Sequence, residues 1–331
     1  MHIQTSNFGK LIFYSYFYHQ NNNIIYFMKK SIYLLLFLFI AITMNAQSLF
    51  VGTYNMRLHI NEDEERGNCW AKRCQVICDQ LNFEHPDIFG TQELLVSQLH
   101  DLVRSLDNYA YIGVAREDGK EAGEYAAIFY DKNRLTLLDS GNFWLSETPS
   151  KPSKGWDAAC VRICTWGKYK DKNSSKTFFF FNLHMDHIGV VARREAAKLV
   201  VSRIKKIAGT KNVVLTGDFN VDQNNEIYQI FSKSGILKDS YAATRLRFAE
   251  NGTFNNFDPG IKTDSRIDHV FVSPSFRVDR YGILTNGYWT QNKESSDTLK
   301  GRDAPQQINL GKFTHRLPSD HYPVMVRLMF K

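Results

Sequence analysis

The sequence predicts an α/β fold of stacked β-sheets covered by helices. Three observations carry that prediction. Short apolar runs that read as strands alternate with segments of helical spacing from Leu49 to Phe330. One such run holds four consecutive phenylalanines, Phe178, Phe179, Phe180 and Phe181, and so asks for burial on both faces of its strand. No Pro/Ser/Gly-rich linker and no internal repeat interrupts residues 48–331, so one large domain is expected there.

The elements follow in order. Residues 49–55 read as a strand. Asn68 is a candidate N-cap for a helix running to about Leu81, with apolar and thiol side chains at helical spacing. Pro86 stops that region, residues 87–91 start a second strand, and residues 94–106 are helical in pattern. Strands are expected at 109–114, 126–130, 135–139, 159–166 and 177–183. Residues 190–207 form an amphipathic helix whose polar face carries Arg193, Arg194, Lys198, Arg203, Lys205 and Lys206, most simply a solvated face. Asn212, Val213, Val214 and Leu215 make a buried strand leading into Thr216-Gly217-Asp218-Phe219-Asn220. A short helix at 226–232 and strands at 267–272, 276–284 and 322–330 complete the pattern.

The front end reads differently. Met28-Lys29-Lys30 followed by the apolar run 32–42 has the form of a signal peptide over 28–46, with cleavage after Ala46. The run is short for a membrane span. This predicts export to the periplasm or beyond the cell, without stable membrane insertion once the segment is removed. Residues 1–27 are rich in Phe, Tyr, Asn and Ile and suit neither signal nor domain. They read as an upstream extension of a gene that starts at Met28, or as a disordered or membrane-associated tail.

The net charge is +7 over 331 residues. Residues 1–47 contribute three lysines and no acid, so the remaining part carries 38 basic and 34 acidic side chains. That mild positive excess suits an anionic substrate. Five cysteines, Cys69, Cys74, Cys78, Cys160 and Cys164, cannot all pair within the chain. Cys74 and Cys78 share a helical face, Cys160 and Cys164 a strand face, and neither pair has a zinc pattern. Ordinary buried thiols are expected.

Two short stretches carry most of the chemistry: Thr216 to Asn220, and Ser319-Asp320-His321. The first presents a carboxylate and an amide at the end of an apolar run, and the second places a carboxylate beside an imidazole just before another. Metal-assisted phosphoester hydrolysis needs such groups: hard oxygen ligands, a polarised water, and donors where charge develops on phosphate. Asn55, Glu93 and His184 share the same position, at the C-terminal end of a predicted strand, and Asp268 lies beside another. Singly, each is an ordinary turn or helix-start residue. Together they supply different parts of one site.

The chain here resembles the endonuclease/exonuclease/phosphatase family, of deoxyribonuclease I type. The matching segments are Thr53-Tyr54-Asn55-Met56-Arg57, Gln92-Glu93, Asn182-Leu183-His184-Met185-Asp186-His187, Thr216 to Asn220, Arg266-Ile267-Asp268-His269 and Ser319-Asp320-His321, in family order. The Asn-x-His form, the Gly123-Glu124-Tyr125 stretch and Gly141-Asn142-Phe143-Trp144-Leu145-Ser146-Glu147 look most like a secreted bacterial branch close to the deadenylase-type members. The resemblance implies a four-layered α/β sandwich, two mixed β-sheets packed face to face with helices outside. It also implies Mg²⁺, with Mn²⁺ as a substitute, held by Glu93 with help from Asn55 and Asp320. Asp218 would activate the attacking water, Asn220 would donate to the scissile phosphate, and His184 and His321 would bind phosphate oxygens. Asp268 would orient His321, and Glu124 would hydrogen-bond His184. Arg162, placed between two cysteines on a strand, reads as a phosphate-facing cation or one half of a structural salt bridge. Asp186 and His187 either shape the pocket or cap the helix that follows.

Substrate choice rests on loops. Residues 139–157 carry Phe143, Trp144, Lys151, Lys154 and Trp156, which would stack a base or a sugar, or pack a loop. Residues 287–312 are polar and placed to edge the cleft. The expectation is an exported Mg²⁺-dependent phosphodiester hydrolase, nuclease-like and monomeric, acting on nucleic acid or another phosphoester. The alternatives are a phosphomonoesterase on sugar or inositol phosphates, a sphingomyelinase-like lipid phosphodiesterase, and an inactive binding protein.

Overall fold

The computed structural model describes residues 29–31, 33, 48–209, 211–291 and 311–331. The chain divides into two units, Met1–Ser48 and Leu49–Lys331. The expected extension 1–27 and signal peptide 28–46 lie outside the described residues, apart from helical residues 29–31 and 33.

In the second unit the alternation of runs becomes two large mixed sheets. The strands are β1 (Ser48–Asn55), β2 (Ile88–Gln92), β3 (Tyr109–Ile112), β4 (Ile128–Asp131), β5 (Leu135–Trp144), β6 (Ile163–Asp171), β7 (Thr177–His184) and β8 (Val213–Asp218). They continue with β9 (Lys238–Asp239), β10 (Arg247–Phe248), β11 (Asp268–Val272), β12 (Phe276–Ile283), β13 (Tyr288–Gln291), β14 (Phe313–Arg316) and β15 (Val324–Phe330). One sheet has the order β10-β12-β15-β1-β2-β4-β3 and the other β5-β6-β7-β8-β11-β9. The helices are α1 (Asn61–Glu65), α2 (Trp70–Glu84), α3 (Val96–Ser105), α4 (Val190–Ala208) and α5 (Glu226–Ser232).

The Phe run explains the layering. Phe178 and Phe180 enter the core shared by the two sheets, with Val51, Ile88, Val214 and Val326. Phe179 and Phe181 point the other way, into the core formed with α4 and α5 through Ala197, Val200 and Phe231. Each buried Phe contributes roughly 1.5–3 kcal/mol. A third core lies where α2 and α3 cover the first sheet, through Ile77, Leu81, Leu99 and Leu102 against Phe89 and Phe129. The result is four layers, helix–sheet–sheet–helix.

A polar bridge joins the sheets beneath the strand ends. Asn182 Oδ1 accepts from Gln92 Nε2 at 2.7 Å and from Thr216 Oγ1 at 3.0 Å. Its Nδ2 donates to the carbonyls of Thr91 at 2.8 Å and Ala127 at 3.0 Å. Gly90 makes room for it: a Cβ there would sit 2.1 Å from Asn182 Oδ1.

Some boundaries differ from expectation for physical reasons. The N-cap of α2 is Cys69, not Asn68, because the Asn68 amide oxygen accepts from Arg316 Nη1 instead. β6 begins at Ile163, so Cys160 and Arg162 lie on the loop before it rather than on a strand face. All five cysteines are free, and Cys69 and Cys160 are only half-buried. The polar segment 287–312, expected to edge the cleft, contains the hairpin strand β13, paired with β14; residues 292–310 lie outside the described residues.

Candidate active site

Strand register builds the centre of the site. His184 on β7 pairs with Asp218 on β8, and Asp218 pairs in turn with Asp268 on β11. These three residues therefore form one row across the second sheet. On the first sheet Asn55 ends β1 opposite Gln92 of β2, and Glu93 follows. The strand ends of both sheets thus open into one cleft of about 490 Å³.

Asn55 ties the two sheets' acids together. Its Nδ2 donates to Glu93 Oε1 at 2.9 Å and to Asp218 Oδ2 at 3.0 Å. Its Oδ1 is occupied by the backbone N–H of Arg57 at 3.0 Å. Asn55 therefore fixes the carboxylates of both sheets, while its amide oxygen keeps a second lone pair beyond the bond to Arg57. Glu93 also accepts from Leu58 N at 3.1 Å. Its backbone has φ 66°, and Asn220 and Arg57 have φ 50° and 56°. Positive φ in non-glycine residues costs about 1–3 kcal/mol each and clusters at functional sites.

Asp218 is the hub. Its Oδ2 lies 3.5 Å from His184 Nε2 and 3.8 Å from His321 Nε2, and its Oδ1 accepts from Asn220 N at 2.9 Å. Burial, with the charge of Asp268, raises its pKa above the usual carboxylate range. Asp268 Oδ2 meets His321 Nδ1 at 2.8 Å. Despite burial, Asp268 and the other nearby acids hold His321 protonated well above the ordinary imidazole range. His184 is the opposite case. Burial and the neighbouring Arg162 push it down to about 3, so it is neutral at pH 7. Asn220 donates its side-chain amide to Met185 O at 3.0 Å and lines the cleft.

The expected Glu124–His184 hydrogen bond is not made. Glu124 Oε2 instead accepts from Arg116 Nη1 at 2.5 Å and stands 3.6 Å from His184 Nδ1, which has no hydrogen-bond partner. A guanidinium is the stronger claimant for a carboxylate. Arg162 lines the cleft, bonded to Asp186 and His187 through Nε and Nη2, with a buried Nη1 that makes no hydrogen bond and stands 4.0 Å from Glu124 Oε2.

The expected cap is also redistributed. The first amides of α4 at Val191 and Ala192 are taken by Asp157. Asp186 accepts the amides of Ala159, Cys160, Ile188 and Gly189. Phe143 and Trp144 are buried, and Trp144 Nε1 donates to Arg116 O at 2.7 Å.

Three residues of the site were not singled out from the sequence. Arg57 lies 3.7 Å from Asp320 and is held by Asp63 at 2.8 Å. Arg116 lines the cleft beside Glu124. Arg73, fully buried, donates to the carbonyls of Asn68, Met56, Arg57 and Pro318, and so clamps the loop after β1 to the loop bearing Asp320. The Arg at the end of Thr53 to Arg57 was the only signal for any of them. Arg73 and Arg116 are single basic residues in otherwise unremarkable elements.

The donor set fits a hard divalent cation. Glu93, His184 and Asp218 offer ligand atoms within 4.8 Å of one another. Burial and the nearby Glu93 push Asp320 up to about 6, so the carboxylates repel one another as the protein stands. A cation among oxygen ligands removes that repulsion.

Comparison with known proteins gives the chain's family and fold. Residues 52–321 match the endonuclease/exonuclease/phosphatase family. An endonuclease/exonuclease/phosphatase family protein of Bacteroides thetaiotaomicron is 47% identical, with TM-score 0.79 over 86% of this chain and 98% of its own. A mannosyl-6-phosphatase of the same organism is also 47% identical, with TM-score 0.78 over 85% of this chain and 100% of its own. Protein L388 of Acanthamoeba polyphaga mimivirus is 28% identical over 78% of this chain and 91% of its own. The chain belongs to the endonuclease/exonuclease/phosphatase family and is a metal-dependent phosphoric ester hydrolase.

Proposed function

We propose that this hydrolase removes phosphate from phosphorylated sugars, with a hexose 6-phosphate as the substrate class. The observation that carries the reading is the 47% identity to a mannosyl-6-phosphatase across the whole of that chain. The cleft supports it. Arg57, Arg116, Arg162 and a protonated His321 surround the acids, which suits the extra charge of a monoester. Of the aromatics expected to stack a base or a sugar, or to pack their loop, Phe143 and Trp144 are buried in the protein, and neither half-buried Trp156 nor the exposed Lys151 and Lys154 line the cleft. A nuclease platform therefore has less to recommend it than the sequence alone suggested. Phe254 and Phe257 line the cleft instead and offer an apolar wall to a sugar face.

In this mechanism Glu93 and Asp320 hold a divalent cation, Mg²⁺ or in its place Mn²⁺, and Asn55 keeps Glu93 and Asp218 aligned. The bound cation supplies Lewis-acid polarisation of the phosphate and of water. Asp218, its pKa raised by burial, accepts the proton of the attacking water. Arg162, through the Nη1 that makes no hydrogen bond, His184 and Asn220 bind phosphate oxygens. His321, charged and oriented by Asp268, stabilises the phosphate and has the proton to give to the departing sugar oxygen. Glu124 keeps Arg116 beside this group. The enzyme acts as a monomer outside the cytoplasm, periplasmic or extracellular, a reading that rests on residues 28–46. No described helix is long and apolar enough to cross a membrane.

The test is a substrate panel on purified protein with and without EDTA: mannose 6-phosphate, glucose 6-phosphate, inositol phosphates, bis-p-nitrophenyl phosphate, single-stranded DNA, RNA and sphingomyelin. EDTA-sensitive release of phosphate from hexose phosphates is expected. Faster cleavage of nucleic acid or of the diester would return the assignment to a nuclease-like phosphodiesterase.

A further inference from the structure

His187 belongs to none of the roles above, yet it is exposed at the rim of the cleft, three residues beyond the buried His184. Its setting is unusually determined. Asp186 is fixed by four backbone amides, at 3.0 Å from Ala159, 3.1 Å from Cys160, 3.0 Å from Ile188 and 2.7 Å from Gly189. The same carboxylate holds Arg162 Nε at 3.4 Å. Arg162 Nη2 then meets His187 Nδ1 at 2.9 Å. A guanidinium can only donate, so Nδ1 must accept. The ring proton therefore sits on Nε2, which makes no hydrogen bond among the described residues.

A metal is a poor occupant here, although Cys160, Asp186 and His187 lie close enough to hold one. Both Asp186 oxygens and His187 Nδ1 are already taken, and the guanidinium of Arg162 stands beside them. What the cluster presents to the cleft is a neutral donor on a rigid mount.

We propose that His187, locked by Arg162 with its proton on Nε2, is a specificity-determining residue that donates a hydrogen bond to a hydroxyl oxygen of the sugar. This rests on the sugar-phosphate reading above. The placement argues for the sugar rather than the phosphoryl group. His184, Asp218 and His321 are buried at the floor, whereas His187 is at the exposed mouth, where the alcohol part of the ester must lie.

The experiment compares kcat/KM for mannose 6-phosphate and p-nitrophenyl phosphate in the full chain, His187→Ala and His187→Gln. The ratio of the two values should fall about tenfold in His187→Ala, as expected for one lost hydrogen bond to a neutral group. Gln, which retains a donor, should restore most of it. An equal loss on both substrates would mean that His187 only props Arg162 and would overturn the proposal. An unchanged ratio, or a Gln variant no better than Ala, would overturn it too. Nitrogen-15 shifts of the His187 ring should show a bare Nδ1 and a protonated Nε2; the opposite tautomer is incompatible with the lock. If the wild-type chain turned over no hexose phosphate, the substrate reading itself would fall, and the sugar ligand assigned to His187 with it. Failure of the ratio alone leaves that reading standing.

Discussion

Asp218 shows how much chemistry one residue gathers. It touches Asn55 from one sheet, His184 and Asn220 from the other, and approaches His321 from the last loop. Asp218→Ala should lower kcat by roughly a thousandfold, within the usual range for general acid–base groups, while circular dichroism stays native. A variant with near-normal turnover would remove Asp218 from the mechanism. His321 gives a pH prediction. Its folded pKa is raised, so the active imidazolium persists to high pH, and activity falls as pH rises through that value. Asp268→Asn should move this fall to lower pH in the profile of kcat/KM. The same linkage acts on stability. The pair's contribution is complete below the unfolded value near 6.5 and is lost as pH rises through the folded one. The variant should therefore lose stability near neutrality and much less at high pH.

At the scale of elements, the periodic signals were the legible ones. The Phe run reported its two-faced strand, and the apolar run before Asp218 reported β8, because burial imposes the pattern directly. Interactions between distant elements were not legible. Nothing local distinguishes Glu124's attraction to Arg116 from an attraction to His184, and nothing marks Asp157 as the partner of the α4 amides. The short β9 and β10 have too few residues for periodicity to register. The Asn182 bridge gives the test at this scale. Asn182→Ala would remove one hydrogen-bond partner each from Gln92, Thr216 and the buried carbonyls of Thr91 and Ala127 and should cost about 2–4 kcal/mol in urea unfolding. Gly90→Ala should also destabilise, since its Cβ would collide with the Asn182 oxygen. If both variants unfolded at the wild-type urea concentration, the bridge would have no structural weight.

For the whole molecule, the family, the four layers and the identity of the acids could be read from ordered motifs, since each motif lies at or beside an end of a strand. Apart from Arg162, the positively charged side chains around the cleft could not. Arg57, Arg73 and Arg116 come from separate turns and a helix, and only the closed fold brings them to the acids. Metal should act on the entire domain. Chelation leaves Glu93, Asp218 and Asp320 close together with only the surrounding side-chain cations to offset their charge. At metal concentrations about a hundredfold above Kd, binding stabilises by about 2.7 kcal/mol. EDTA should therefore lower Tm by roughly 5–10 °C in a domain of this size. An identical melting curve with and without chelator would mean that the acids do not seat a cation.

The row His184–Asp218–Asp268 spans three neighbouring strands at one level. Side chains alternate along a strand, so sliding β8 by a single position would turn Asp218 to the opposite surface and bury a hydrophobic neighbour's place in the wrong layer. Turnover is thus a strict reporter of assembly. A refolding chain stays silent until its central ribbons align.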